Sequence, residues 1–140
     1  MISITNKVFY IGTNDRKKHL FENNWPLPNG VAYNSYIIAD EHTALIDTIE
    51  YGSNPDYLSD IDRALNGRPL EYLIVNHMEP DHSSMIGEML RAYPNLKVVA
   101  NKQTYKILQS YYPLNEENKH EVNDGDSLVL GYLKLLFVFS

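Results

Sequence analysis

A chain of 140 residues, 44% hydrophobic and 21% charged, has the balance of one folded domain and excludes a disordered tract. Twelve Lys and Arg against 18 Asp and Glu leave a net charge of -6, which excludes the basic face that nucleic acid or an anionic membrane requires. With no Cys, disulfides, zinc–thiolate sites, iron–sulfur clusters and thiol nucleophiles are excluded together, and a reducing cytoplasm is the expected compartment.

Residues 1–10 lack a basic region followed by an apolar run, so no signal peptide is expected. Residues 7–11 read as a short strand. Residues 18–34 read as irregular, broken by Pro26, Pro28 and Gly30. Two β-rich runs, 33–39 and 43–47, meet at Asp40-Glu41 and predict a hairpin. Asn54 as N-cap and Pro55 at the first helical position predict a helix with Leu58, Ile61 and Leu65 on one face, ended by Gly67 and Pro69. Residues 70–76 are nearly all apolar, the pattern of a strand covered on both faces. Ser83 or Ser84 is the expected cap of a second helix that turns Met85, Ile86, Met89 and Leu90 inward and stops before Pro94. Residues 96–100 form another buried strand, and Asn101 caps a third helix running to about Tyr112. A turn at Asn123-Asp124-Gly125 leads to two last strands, around Val129 and over 133–139, separated by Gly131.

The expected order is β-β-β-α-β-α-β-α-β-β. Strand–helix alternation in the middle predicts parallel strands, and the flanking hairpins predict antiparallel edges, giving a mixed sheet of class α/β or α+β. The apolar run 133–139 is far too short to span a bilayer. It closes the sequence with no turn or polar tail, which leads to the expectation that further chain belongs to the domain. The 11 tyrosines are expected as amphipathic packing at the edges of the core.

Chemistry concentrates in Asn76-His77-Met78-Glu79-Pro80-Asp81-His82-Ser83-Ser84. Two His and two carboxylates fall within six residues, where a buried parallel strand ends and a helix has not begun. Ligand sites in open α/β sheets gather at the carboxyl ends of strands. Neighbouring carboxylates repel and raise each other's pKa, and no Lys or Arg lies between Arg68 and Arg91 to neutralise them. A metal would, and mixed imidazole–carboxylate ligation suits iron, manganese or zinc. Four donors in one loop crowd a single ion and are better shared between two ions about 3.5–4 Å apart. The bland alternative is a solvated loop in which Asp81 or Ser83 caps the next helix. His19, His42 and His120 stand among polar residues and read as exposed loop or turn residues, not ligands. No Gly-x-Ser-x-Gly elbow and no Gly-rich phosphate loop is present, so neither a serine nucleophile nor a flavin phosphate cradle is expected.

His-x-Glu-x-Asp-His after a buried strand resembles the diiron domain of flavodiiron proteins, the A-type flavoproteins that reduce oxygen or nitric oxide. Their domain has the metallo-β-lactamase-like αββα fold. The related hydrolases carry His-x-His-x-Asp-His, so Glu79 marks the diiron branch. The resemblance extends to Gly30-Val31-Ala32-Tyr33-Asn34-Ser35-Tyr36, to Thr43-Ala44-Leu45-Ile46-Asp47-Thr48, to 76–83, and to Asp124-Gly125-Asp126-Ser127-Leu128-Val129-Leu130-Gly131. It implies that His77 and Glu79 bind one iron, while Asp81 and His82 face the other. It also implies a further His, a bridging carboxylate and another His, none of which has a counterpart within these 140 residues. FMN is implied only for a flavodoxin-like domain outside them.

The expected entity is therefore a partial diiron domain over residues 1–140, the N-terminal half of an αββα sandwich, from an oxygen or nitric oxide reductase with an unspecified electron-donor protein. It is expected to be inactive alone. The alternatives are a flavin-free diiron oxygen sensor or a non-functional truncated product. With one sheet face expected to lack its partner sheet, a homodimer is expected as well.

Overall fold

Apolar runs of period two build the centre of this protein, and helices of period near four cover one side of it. The computed structural model describes residues 1–15, 20–21, 25–26, 31–49, 54–76, 85–112 and 114–138. The strands in chain order are β1 (Ile2–Ser3), β2 (Val8–Tyr10), β3 (Thr13–Asp15), β4 (Leu20–Phe21), β5 (Trp25–Pro26), β6 (Val31–Tyr33), β7 (Tyr36–Ala39) and β8 (Thr43–Ile46). Then follow α1 (Tyr57–Leu65), β9 (Tyr72–Ile74), α2 (Ile86–Ala92), β10 (Lys97–Ala100), α3 (Lys102–Tyr111), a 3-10 turn (Glu116–Asn118), β11 (Lys119–Glu121), β12 (Ser127–Val129) and β13 (Lys134–Leu136).

Seven strands form one sheet in the order β1-β2-β7-β8-β9-β10-β11. Pairing is antiparallel from β1 to β8 and parallel from β8 to β11. The registers Ile37↔Leu45, Leu45↔Leu73 and Leu73↔Val98 run one row of side chains across the sheet. All four are buried in the same cluster as Tyr57, Ile61 and Leu65 of α1, Ile86 and Met89 of α2, and Tyr105 and Leu108 of α3. Their neighbours Ile38, Ala44, Ile74 and Val99 point to the other face and are buried with Val122, Leu130 and Phe137. The β12–β13 hairpin therefore packs on the second face, giving helices, sheet and hairpin as three layers. This is the mixed α+β architecture expected of 70–76 and 96–100, whose strands are apolar on both faces.

Several elements depart from the expectation. The stretch 18–34 is not wholly irregular, since β4–β5 and β3–β6 form two small antiparallel ladders there. Pro26 is compatible with β5 because that ladder has only two strands, so each is an edge that can omit a donor. β11 was not expected. Its sequence, Lys-His-Glu, carries no apolar run because it is the edge of the sheet, and it makes that edge parallel where an antiparallel one was expected. His120 thus lies in a strand, half-buried, with its ring edge-on to Tyr72 at 6.0 Å between centroids. The last two strands do not join the main sheet but pair with each other. The second face of the sheet, expected to be bare, is covered by that hairpin. What stands exposed is the hairpin's outer side, with Val129, Leu136 and Val138 at 59%, 63% and 73%.

Caps follow the chemistry of their residues. Asn101 Oδ1 accepts from Thr104 N at 2.7 Å and starts α3, as expected. Asn54 Oδ1 accepts from Asp56 N at 3.0 Å, but this holds a turn ahead of α1, which begins at Tyr57. α1 ends on Asn66 in the left-handed conformation, φ 54°. The caps proposed for α2, Ser83 and Ser84, lie outside the described residues.

The hairpin is tied to the main sheet at the β7–β8 turn. Asp40 is buried, and its carboxylate accepts from Glu41 N at 2.9 Å and from Leu133 N at 2.7 Å. His42 N donates to Leu130 O at 2.8 Å, and Lys7 lies over the Tyr132 ring at 5.0 Å. Gly131 makes the close approach possible. Its φ is 130°, and a Cβ there would lie 2.8 Å from both Asp40 Oδ1 and Glu41 Cγ. Gly131→Ala is expected to destabilise the protein by roughly 1–3 kcal/mol, read as a lower urea midpoint with an unchanged slope.

Burial pushes the Asp40 carboxyl up, but N–H donors from Leu133, Glu41 and Tyr132, with the Lys7 charge, outweigh it and hold the carboxyl below its ordinary value of 3.8. A depressed folded pKa contributes stability that is present above the unfolded value and lost as pH falls through the folded one. Urea unfolding at stepped pH should show the wild type losing stability as pH drops below about 5, and Asp40→Asn should flatten that loss.

Candidate metal centre

The parallel strands β8, β9 and β10 point their carboxyl ends the same way, and the donor cluster follows directly on one of them. β9 ends at Ile74. Val75 N continues the ladder by donating to Val99 O at 2.9 Å, and Asn76 is the last described residue before the cluster. His77, Glu79, Asp81 and His82, the four expected ligands, lie outside the described residues, as does His19. Among the described residues no group of three or more His, Asp or Glu is placed to hold a metal. His42 is exposed at the opposite, amino end of β8, with Nδ1 3.1 Å from Glu71 Oε1.

The departure point of the cluster is built in detail. β8 ends at Ile46 and passes into Asp47, buried, with φ 55°. Asp is among the few residues other than Gly that adopt this left-handed conformation readily, because its short polar side chain bonds locally. Asp47 N donates to Ile74 O at 2.9 Å, and Asp47 Oδ1 accepts from Asn76 N at 2.8 Å. The Asp47 carbonyl accepts from Ser35 Oγ at 2.8 Å. Ser35 Oγ lies 2.7 Å from the Tyr57 hydroxyl. A carbonyl only accepts, so Ser35 spends its single proton on Asp47 and Tyr57 donates to Ser35. Both residues are buried. Burial raises the Tyr57 pKa well above its ordinary value, and the Asp47 charge adds to it. The hydroxyl therefore stays protonated and remains a donor.

Beside Asn76, a cleft of about 180 Å³ opens between the main sheet and the hairpin, lined by Ile46, Ile74, Asn76, Leu135, Leu136, Phe137 and Val138. Asn76 is the one polar side chain among the residues that line it, and backbone polar atoms supply much of the remaining lining.

Ser35, Asp47, Tyr57 and Asn76 had no assigned role in the sequence. The signal for Asp47 is an acidic residue closing a buried apolar strand, a position where an unpaired carboxylate is costly. Ser35 and Tyr57 carry no comparable signal, because their partnership spans 22 residues and appears only in the fold.

The family model described as ODP family beta lactamase matches residues 31–140. The chain belongs to this family. The chain is 27% identical over 139 residues to an anaerobic nitric oxide reductase flavorubredoxin of Pectobacterium carotovorum, covering 98% of this chain and 28% of the relative. It is 38% identical over 117 residues to a putative diflavin flavoprotein of Synechocystis, covering 84% of this chain and 20% of the relative. The crystal structure of the flavodiiron protein from Giardia intestinalis superposes with a TM-score of 0.83 at 26% identity, over 95% of this chain and 32% of that one. The chain thus spans about a third or less of each of these three proteins. The resemblance to flavodiiron proteins and the metallo-β-lactamase-like fold both hold. No helix among the described residues is long and apolar enough to cross a membrane.

Proposed function

We propose that this chain supplies part of the diiron centre of a flavodiiron oxygen or nitric oxide reductase, and that its 140 residues alone do not turn over substrate. The observation that supports this best is that the family match coincides with the donor cluster, which begins one residue after the anchored Asn76 at the carboxyl end of a central parallel strand. His77 and Glu79 would hold one iron, and Asp81 and His82 the other. Two imidazoles and two carboxylates are a donor set that fits iron, since the added carboxylate favours a harder, redox-active ion over zinc. Iron so held would supply electrons to a diatomic substrate. FMN would belong to a flavodoxin-like part of the larger protein, and a donor protein would reduce it. The proposed compartment is the cytoplasm, in keeping with the absence of Cys.

Four donors do not complete two coordination spheres, and no bridging carboxylate is among them. The 140-residue chain purified without added metal is expected to hold iron well below two ions per chain, or zinc instead, by elemental analysis. His77→Ala and Glu79→Gln should lower that content further. Two irons per chain retained through gel filtration would overturn the partial-site reading.

The isolated chain is further proposed to form a homodimer through the outer side of β12–β13. Val129, Leu136 and Val138 place an exposed apolar strip on a two-stranded sheet whose edges are free to pair, among the described residues. Light scattering at tens of micromolar should give twice the monomer mass, and Leu136→Lys with Val138→Lys should halve it. A wild-type monomer at that concentration would refute the proposal.

A further inference from the structure

We propose that Tyr57 and Ser35 are positioning residues for the metal loop, acting through the backbone of Asp47. This rests on reading residues 77–82 as metal ligands. Asp47 turns out of β8 with φ 55°, a left-handed conformation that a non-glycine residue keeps where its surroundings hold it. Among the bonds that hold it is that from Ser35 Oγ to its carbonyl at 2.8 Å, with the Tyr57 hydroxyl 2.7 Å from Ser35 Oγ and 3.5 Å from the same carbonyl. Ser35 and Tyr57 are 0% and 1% exposed, so water does not compete. The same turn aims Asp47 Oδ1 at Asn76 N, 2.8 Å away, and the next residue along the chain is His77. A relay from helix α1, through Ser35 before β7 and Asp47 after β8, thus holds Asn76 after β9, the residue that precedes the proposed ligands. Groups that orient metal ligands from outside the coordination sphere commonly matter about 10–100-fold for metal affinity.

The opposing account is that the Tyr57 hydroxyl merely satisfies polar groups in the core. The two differ in what Tyr57→Phe does. As a positioning residue, it should weaken cobalt(II) binding by about 10-fold or more and alter the intensity of the cobalt visible absorption bands. Ser35→Ala should do the same, and serves if Tyr57→Phe does not fold. Ile61→Val, a change in the same core with no polar partner, should lower the thermal midpoint and leave cobalt affinity and spectrum unchanged. His77→Ala separates the two claims. If it leaves cobalt binding intact, the ligand assignment fails. If it removes binding while Tyr57→Phe and Ser35→Ala leave affinity and spectrum at wild type, the positioning proposal fails and the ligand assignment stands.

Discussion

The central strands β8, β9 and β10 are apolar on both faces, and this constraint governs the rest of the molecule. Ile37, Leu45, Leu73 and Val98 need cover on one side; Ile38, Ala44, Ile74 and Val99 need it on the other. At about 25 cal/mol per Å² of apolar area, neither face can be left to water. Three helices meet the first demand. Their connections run between successive parallel strands, so all three lie on the same side as the first row. The second demand falls to residues far along the chain, and Leu130 and Phe137 of the hairpin region meet it.

Strand β8 is bracketed by two buried aspartates, and both serve the backbone. Asp40, before it, takes N–H groups from Glu41 and from Leu133, which lies 93 residues away. Asp47, after it, takes the N–H of Asn76. In each case a carboxylate satisfies a donor that regular pairing leaves over, the main reason a charged group survives in such a place. The consequences differ. Asp40 fixes how the hairpin lies on the sheet, and so shapes one wall of the cleft; Asp47 fixes where the loop that follows β9 begins. The position of the cleft and the anchoring of Asn76, from which the proposed metal loop departs, thus both trace to the ends of one four-residue strand.

Periodicity made the interior legible and left the edges hidden. The runs at 43–47, 70–76 and 96–100, and the cap at Asn101, carry strong local signals because burial on both faces forces an apolar sequence. β11 carries none, since an edge strand can be Lys-His-Glu and still pair with β10. The short ladders between 13 and 33 gave no sequence signal because strands of two or three residues are too short to show a period, and Pro26, read as a breaker, lies within β5. The cover over the second face was misjudged because the hairpin was counted as part of the main sheet. Of the candidate site, the donor cluster was read from residue types and spacing, and it lies outside the described residues. The Ser35–Tyr57–Asp47 relay was not, because hydrogen bonds between distant residues leave no periodic trace.

Charge separates the two ends of the parallel strands and argues for where a cation belongs. At the amino end, acidic groups gather too, but each is answered. Asp40 has its N–H donors and Lys7 nearby, while Arg68 donates to the carbonyls of Asp40 and Glu41. Glu71 accepts from Thr43 N at 3.1 Å and meets His42 on its other oxygen. At the carboxyl end the balance is reversed. Between Arg68 and Arg91 the sequence holds Glu71, Glu79, Asp81 and Glu88 without a Lys or Arg. Glu71 belongs to the far end of the sheet, and Glu88 pairs with Arg91. Glu79 and Asp81, which lie outside the described residues, have no Lys or Arg within this stretch of sequence. Neighbouring carboxylates stay ionised together only where positive charge is near them. A metal pair is the source of charge that the same four side chains could also hold.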